Sequence, residues 1–124
     1  MMERKEYRPL PRGLEIKEYN GEGYHPAHTF GEWRVAFLNY ADRFEHIAYL
    51  ERHMLTDEVF VLLCGSAELW IGEECTRVPM EPHKIYNVQK AVWHNIHVSP
   101  DAKVLIVEND NTTRENSEYL YFEK

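Results

Sequence analysis

The sequence predicts an all-β fold, a sandwich or barrel of short antiparallel strands. From Trp33 onward, runs rich in β-branched and aromatic residues alternate with turn-forming residues, at the spacing of roughly 8–12 residues that is typical of such folds. No stretch keeps a helical period over several turns. The 124 residues, of which 44% are hydrophobic and 28% are charged, are enough for one globular domain.

Each predicted strand is a short apolar or alternating run that ends at turn residues. Gly65-Ser66 and Ser99-Pro100-Asp101 indicate two of the turns, because these residue types tolerate the backbone angles of tight turns. The predicted strands are Trp33–Tyr40, Phe44–His53, Glu58–Leu63, Ala67–Ile71, Thr76–Met80, His83–Val88, Val92–Val98 and Val104–Glu108.

The two ends of the chain are less regular than residues 33–108. Residues 1–32 contain dispersed prolines and glycines and are predicted to form an irregular arm with one candidate strand at Leu14–Tyr19. Residues 109–124 begin as a polar loop and continue into Glu118–Glu123, a strand that can join the edge of a sheet. We therefore expect a single domain with an N-terminal arm, a barrel core and a C-terminal loop and strand.

Charge and hydropathy exclude several classes of partner. The chain has 14 Lys and Arg against 21 Asp and Glu, a net charge of −7, and its basic residues form no recognisable motif, so we expect no nucleic acid partner. The longest apolar run, Val59–Cys64, is far shorter than the ~20 residues of a membrane span, and no apolar signal region precedes it. We expect a soluble, cytoplasmic protein without a membrane partner. Cys64 and Cys75 form no CxxC pair and are expected to be reduced, with Cys64 buried in its strand.

The segment from Glu51 to Gly65, ERHMLTDEVFVLLCG, carries the candidate site. Glu51 and His53 stand two residues apart on a predicted strand, so their side chains project from the same face. If Leu55-Thr56-Asp57 turns the chain into an antiparallel neighbouring strand, Glu58 returns beside His53. The three side chains are then expected to point into one pocket.

This segment resembles the first sequence motif of the cupin superfamily, in which two histidines one residue apart are followed by a glutamate and then by a glycine. His53 matches the second histidine, Glu58 the glutamate and Gly65 the glycine. Glu51 stands in place of the first histidine. The resemblance is therefore carried by the spacing of three motif residues and departs from the motif at one.

The second cupin motif supplies one more histidine after a proline-glycine turn farther along the chain. His94 occupies that position, although Gln89 and Ala91 replace the proline and the glycine. The resemblance covers roughly residues 33–108. It implies a cupin-type double-stranded β-helix, a small RmlC-like jelly-roll barrel, with an irregular N-terminal arm.

The resemblance also implies a divalent transition metal in the mouth of the barrel, held by His53, Glu58 and His94. Two imidazoles and one or two carboxylates, without a thiolate, suit Fe(II), Mn(II), Ni(II), Co(II) or Zn(II). Such an ion polarises an oxygen ligand or lowers the pKa of a bound water molecule. Glu51 is expected to face the same pocket as a further metal ligand, as a general base, or as a hydrogen-bond partner of His53 in a metal-free pocket. Glu51 and Glu58 are the candidate catalytic residues.

Parity along the strands predicts the rest of the pocket lining. Ile47 and Tyr49 share the face of His53, and Ile96 shares the face of His94. We expect Ile47, Tyr49 and Ile96 to line the deeper pocket. Ordinary core packing is the alternative for each of them.

Three functions are consistent with these residues. The first is a metal-dependent enzyme, such as an isomerase, lyase or dioxygenase, that acts on a sugar, a keto acid or an amino-acid derivative. The second is a metal-free isomerase or epimerase that uses His53 or His94 as a base. The third is a non-catalytic domain that binds or senses a small ligand. The fold class does not choose among them, because one architecture hosts many functions.

The strand Val59–Leu63 has apolar residues at odd and even positions, and therefore on both of its faces, so both faces must be covered. A second copy of the chain or the N-terminal arm can cover the outer face. We expect a homodimer, since symmetric pairs are the commonest oligomers.

Overall fold

The computed structural model describes residues 9–123 and confirms the predicted all-β architecture. Two short 3-10 turns lie at Asp42–Phe44 and Arg114–Asn116. Within the described residues, no helix is long and apolar enough to cross a membrane. The strands are β1 (Tyr24–Phe30), β2 (Trp33–Asn39), β3 (Tyr49–His53), β4 (Glu58–Cys64), β5 (Ala67–Ile71), β6 (Thr76–Pro79), β7 (Tyr86–Val88), β8 (His94–Val98), β9 (Lys103–Asn109) and β10 (Ser117–Tyr121).

The strands form two five-stranded antiparallel sheets. Sheet A has the order β1-β2-β9-β4-β7, and sheet B has the order β10-β3-β8-β5-β6. The chain crosses repeatedly from one sheet to the other, which is the connectivity of a jelly-roll barrel. The predicted jelly-roll fold is therefore confirmed.

The inward residues of sheet A form three rows of cross-strand partners across β2, β9 and β4. Two rows are apolar and close one end of the barrel, while the third row is charged and lies at the other end. The apolar rows are Leu38, Val104 and Leu62, followed by Ala36, Ile106 and Phe60. The charged row is Arg34, Glu108 and Glu58. The core thus occupies one end of the barrel and leaves polar side chains at the other.

Most predicted strands are present with small shifts at their ends, but the N-terminal region differs from the prediction. Tyr24–Phe30, predicted as part of the irregular arm, forms β1 and pairs with β2. The candidate strand Leu14–Tyr19 is wrong. The side chains of Leu14 and Ile16 are exposed, so the apolar residues of this alternating segment are not buried against a sheet.

The predicted strand Phe44–His53 is wrong in its first half. Because β2 belongs to sheet A and β3 to sheet B, the chain between them must cross the barrel. It crosses through the 3-10 turn at Asp42–Phe44, whose Phe44 side chain is buried in the core. Residues 45–48 therefore form a connection between the sheets and not a strand.

The outer face of sheet A carries an apolar patch on three adjacent strands. We call it the outer patch; its half-buried members are Val35, Phe37, Val59, Val61, Leu105 and Val107. The side chains of Leu14 and Ile16 in the N-terminal segment are exposed and are therefore not buried against this patch. Cys64, predicted to be buried, is exposed because the ladder between β4 and β9 shifts its register between Leu62 and Cys64.

Gly65 and Ala91 are among the turn residues that adopt the left-handed backbone conformation. Gly65 has a φ of 73°, and a Cβ atom at this position would lie 2.5 Å from the Cα atom of Ala102. Ala91 has a φ of 68°, which costs an alanine roughly 1–2 kcal/mol. The N–H of Ala91 donates a hydrogen bond to the carbonyl of His53 (2.9 Å), so the turn is held in this conformation.

Ala91→Gly should raise the free energy of unfolding by about 1 kcal/mol, because glycine adopts the left-handed conformation without the steric cost of a Cβ atom. Urea unfolding measures the change. Ala48→Gly is the matched control and should destabilise the protein, since Ala48 is exposed and is not among the residues with positive φ. An Ala91→Gly variant that is less stable than wild type would contradict the strained geometry.

Candidate functional site

The polar end of the barrel holds a cavity of about 490 Å³, within the range of roughly 300–1,000 Å³ that is common for small-molecule sites. Both sheets and the 3-10 turn at Arg114–Asn116 contribute to its lining. The charged or titratable lining groups other than tyrosine are Glu51, Glu58, Glu108, His53, His94, Arg34, Arg43 and Arg114.

Sheet B contributes Glu51, His53 and His94 to the cavity. Glu51 and His53 share the inward face of β3, and Glu51 is the cross-strand partner of His94 on β8. The ring centroids of His53 and His94 are 5.3 Å apart. The structure therefore brings these three predicted side chains together.

Sheet A contributes Glu58. The predicted hydrogen-bonded pairing of the His53 strand with the Glu58 strand is wrong, because β3 lies in sheet B and β4 in sheet A. Glu58 meets His53 across the barrel, since residues 54–57 carry the chain from one sheet to the other and the two inward faces oppose each other. The predicted proximity is present, but it arises from packing between sheets.

One oxygen of Glu58 joins the two histidines. Its Oε1 atom lies 3.2 Å from Nε2 of His53 and 3.0 Å from Nε2 of His94. Nδ1 of His94 donates to the carbonyl of Val92 (2.9 Å). Nδ1 of His53 donates to Oγ of Ser117 (2.8 Å), whose own hydroxyl donates to a backbone carbonyl. Both rings are thus held with Nε2 directed at Glu58; we call His53, Glu58 and His94 the central cluster.

The loop before β8 is fastened to the strands that carry the central cluster. The N–H of Ala91 donates to the carbonyl of His53 (2.9 Å). The carboxylate of Asp57 accepts hydrogen bonds from the N–H of Lys90 (2.8 Å) and from the side-chain amide of Asn87 (3.0 Å). These contacts fix the loop in the absence of the proline and glycine of the sequence motif.

The structure adds a second polar cluster that the sequence analysis missed. Glu108 on β9 is the cross-strand partner of both Arg34 and Glu58. Its Oε2 atom accepts hydrogen bonds from Nη2 (3.0 Å) and Nε (3.3 Å) of Arg34 and from the hydroxyl of Tyr24. Strand parity is the signal that could have found Glu108, because it lies two residues after the buried Ile106.

The predicted hydrophobic lining is present in part. Tyr49 and Ile96 line the cavity, whereas Ile47 does not, because β3 begins at Tyr49 and strand parity does not extend before it. Tyr119 on β10, the cross-strand partner of Glu51, also lines the cavity. Its ring packs edge-on against Tyr49 with 5.6 Å between centroids.

Solved structures with this architecture include several cupins. A cupin-2 domain-containing protein from Shewanella frigidimarina aligns with a TM-score of 0.59 at 17% identity, over 73% of this chain and 84% of that one. An RmlC-like cupin family protein with a double-stranded β-helix fold, from Methanocaldococcus jannaschii, aligns with a TM-score of 0.59 at 9% identity, over 80% and 92%. The chain has the cupin fold.

A further structure with the cupin fold aligns over nearly the whole chain. It is Pac13 from Streptomyces, described as a nucleoside dehydratase, with a TM-score of 0.62 at 9% identity over 94% of this chain and 95% of that one. The sequence itself matches no family model and no curated protein. At these identities the likeness shows the fold alone.

Within this cupin barrel, the central cluster shifts the pKa values of its own members. Burial by itself raises the pKa of Glu58, but the hydrogen bonds from His53 and His94 outweigh burial and hold it below the ordinary 4.5. Burial by itself lowers the pKa of each histidine, but the hydrogen bond to Glu58 and its negative charge raise both above 6.5. The cluster therefore favours an ionised Glu58 beside protonated imidazoles.

The other two carboxyls of the cavity shift in the opposite direction. Burial raises the pKa of Glu51, whose Oε2 atom lies 3.7 Å from Nε2 of His53. Burial and the charge of Glu58 raise the pKa of Glu108. A cavity-facing carboxyl with a raised pKa is suited to general acid-base chemistry, and Glu51 is the more exposed of the two.

The donor set of the cupin cavity fits a divalent metal ion. Glu51, His53 and His94 offer ligand atoms that all lie within 4.8 Å of one another, and so do His53, Glu58 and Glu108. Imidazoles whose Nδ1 atoms donate to an oxygen acceptor are typical of ligating histidines. Arg34 forms an ion pair with Glu108, one of the three carboxylates that line the cavity. A divalent ion or two imidazolium rings would add two positive charges close to Glu51 and Glu58.

The free energy of unfolding of the metal-free protein should fall as the pH rises above 6.5. Because the folded-state pKa values of His53 and His94 lie above 6.5, their contribution is complete below that pH and is lost as the pH rises through those values. Loss of the protons on Glu51 and Glu108 also lowers stability as the pH rises, from pH 4.5 upward, because their pKa values are raised above the ordinary 4.5. Urea unfolding between about pH 6 and pH 9, with a chelator present, measures the profile.

Glu58→Gln is the control for this profile. It removes the carboxylate that raises the pKa values of the two histidines. The free energy of unfolding of the variant should therefore fall less than that of wild type as the pH rises above 6.5. On the acid side, the contribution of Glu58 itself should be lost as the pH falls below 4.5, because its folded-state pKa is lowered. A wild-type profile that is flat above pH 6.5 would show that the cluster does not hold protonated histidines.

Proposed function

We propose that the protein binds one divalent transition metal ion through the central cluster and acts as a lyase or isomerase on a small polar metabolite. The observation that supports this best is the convergence of two imidazole Nε2 atoms on one buried carboxylate oxygen. Each Nδ1 atom is tied to an oxygen acceptor, which fixes the ring orientation as an outer partner does for a ligating histidine. The cluster also borders a cavity of suitable size for a small substrate.

The roles of the side chains follow from their positions. A bound divalent ion supplies Lewis acidity, which polarises a substrate oxygen. Glu51 faces the cavity beside the histidines and serves as the general acid or base that moves a proton at the adjacent substrate carbon. Its raised pKa brings it closer to neutral pH, where a carboxyl both accepts and returns a proton efficiently. Proton transfer next to a polarised oxygen is the chemistry of elimination and isomerisation.

The lining of the cavity supports a hydroxylated substrate, such as a sugar or a nucleoside. Carboxylates at the inner end accept hydrogen bonds from hydroxyl groups. Tyr49 and Tyr119 offer aromatic surface for a ring, and the exposed Arg43 and Arg114 add positive charge. Pac13, whose structure aligns over most of the chain, is described as a nucleoside dehydratase, which makes uridine a suitable first probe.

Metal-free wild-type protein should bind one equivalent of Co²⁺, and His94→Ala should weaken binding at least tenfold, because it removes one of two imidazole ligands. The fold should be retained, since His94 borders a cavity. His97→Ala is the matched control: His97 is on the same strand but stacks on Trp70, which does not line the cavity, so its removal should leave affinity unchanged. Competition with a coloured chelator measures affinity, and circular dichroism checks the fold.

A second candidate function is a metal-free dehydratase or isomerase. The observation that favours it is the direct hydrogen bonding of both histidines to Glu58, which lets two imidazolium rings supply the positive charge that a metal would otherwise supply. His53 would then be the acid-base group, because its side chain is 11% exposed against 3% for His94. Wild-type protein that binds no Co²⁺ but does bind uridine would favour this second function over the first.

We also propose that the protein is a homodimer that pairs through the outer patch. The patch spans three adjacent strands, and Val35, Val107 and Val59 form one row of cross-strand partners across it. A contiguous apolar face of this kind on a soluble domain marks an interaction surface. A second copy of the chain is the occupant we propose, because a two-fold axis lets the same patch cover itself.

Val61→Lys should convert the dimer into a monomer, because it places a charge within the outer patch beside its cross-strand partner Leu105. Light scattering at micromolar concentration should give twice the 14.8 kDa chain mass for wild type and the single mass for the variant. Glu73→Lys, in the exposed turn between β5 and β6, is the control and should remain dimeric. A monomeric wild type would refute the pairing.

A further inference from the structure

Glu108 is a buried carboxylate beside the central cluster. It is 5% exposed, and its cross-strand partner Glu58 is also 5% exposed. Two carboxylates directly opposite each other on one face of a sheet repel, and the repulsion is stronger in a buried site than in water. Arg34 supplies one positive charge for this pair. The remaining negative charge must be balanced by the groups that face the row formed by Arg34, Glu108 and Glu58.

The two oxygens of Glu108 have different surroundings. Oε2 accepts hydrogen bonds from Arg34 and Tyr24. Arg34 is itself held by the backbone carbonyls of Asp110 and Thr112, at 3.3 Å each, so the carboxylate has a fixed orientation. Oε1 is buried and, among residues 9–123, has no hydrogen-bond partner. One oxygen is therefore anchored and the other is left without a partner.

A buried carboxylate oxygen without a hydrogen-bond partner or a cation destabilises the folded state. The group that binds Oε1 must therefore fit into a space that water does not reach. A metal ion bonds a carboxylate oxygen at about 2.0–2.2 Å, whereas an N–H or O–H donor needs roughly 2.5–3.2 Å. Glu108, Glu58 and His53 offer ligand atoms that all lie within 4.8 Å of one another. The carboxylate of Glu108 is thus close enough to the central cluster to share one small cation with it, and Oε1 is its oxygen without a hydrogen-bond partner.

We propose that Oε1 of Glu108 is a further ligand of the metal ion that the central cluster binds. Arg34 and Tyr24 hold the other oxygen and so direct Oε1 at the site. This inference rests on the proposed function, because it requires the central cluster to bind a metal ion. It assigns a ligand that lies outside both cupin sequence motifs.

Glu51 is the alternative fourth ligand, since it also lies within reach of His53 and His94. Its side chain is 25% exposed against 3% for Glu108, so Glu51 can be solvated and does not need a cation beside it. The assignment of Glu108 as the ligand leaves Glu51 free for proton transfer. Substitution by glutamine is therefore expected to weaken metal binding at Glu108 but not at Glu51.

The test compares Co²⁺ binding by metal-free wild type, Glu108→Gln and Glu51→Gln, each of which removes one carboxylate at nearly constant volume. Glu108→Gln should weaken Co²⁺ binding at least tenfold and change the visible absorption of bound Co²⁺, which reports ligand number and geometry. Glu51→Gln should stay within about threefold of wild-type affinity, with the wild-type spectrum. Circular dichroism of the metal-free proteins first establishes that each variant is folded.

Glu108→Asp is a second variant, which keeps the negative charge beside Arg34 and withdraws the carboxylate by one methylene group. It should lose Co²⁺ affinity as Glu108→Gln does. A crystal structure of wild-type protein loaded with Co²⁺ gives an independent answer that needs no variant. An anomalous peak at bonding distance from Oε1 of Glu108 supports the assignment, and a peak beyond about 3 Å overturns it.

The outcomes separate this inference from the proposed function. If wild type binds Co²⁺ and both Glu108 variants bind it with wild-type affinity and spectrum, Glu108 is not a ligand, while the metal site stands. If only Glu51→Gln loses affinity, Glu51 is the fourth ligand and the assignment of Glu108 is overturned. If wild type binds no Co²⁺, the proposed metal site fails and the assignment of Glu108 fails with it.

Discussion

The buried carboxylate of Glu58, shared by two imidazole rings from the opposite sheet, is the contact on which the site depends. A buried carboxylate without a positive partner costs several kcal/mol, so the barrel needs cationic charge at this point. The raised pKa values of His53 and His94 favour protonated rings that supply this charge, and a divalent ion would supply it in their place. In the proposed metal complex, protons and the metal ion would compete for the same two Nε2 atoms, which would link metal affinity to pH.

The two sheets place the side chains of this contact opposite each other. Sheet A presents Arg34, Glu108 and Glu58 as one row of cross-strand partners, and sheet B presents Glu51 and His94 as another pair. Backbone hydrogen bonds fix the register of each row, so the backbone positions of its members cannot shift relative to one another without a shift of a strand. The apolar rows fill the other end of the barrel. A polar site is thereby placed on regular strands, where its geometry is better defined than on a loop.

The strands were largely predictable because two-residue alternation depends on neighbours along the chain. It correctly put Glu51 and His53 on one face of β3. The failures at Leu14–Tyr19 and in the first half of Phe44–His53 share one cause. Alternation predicts an extended segment, but a strand forms only where a partner strand is available. Tyr24–Phe30 was missed for the opposite reason: its polar sequence gives a weak pattern, and pairing with β2 makes it a strand.

The sequence by itself determined the types of reactive residue and the strand faces that carry them, because both follow from local backbone geometry. Only the tertiary structure decided which faces meet. Glu58 reaches His53 across the barrel and not along a hairpin, and Arg34 binds Glu108 although 74 residues separate them. Ser117, which orients His53, lies 64 residues from it in the sequence. Such contacts depend on the order and register of strands in two sheets, and that order is set by the packing of the whole chain.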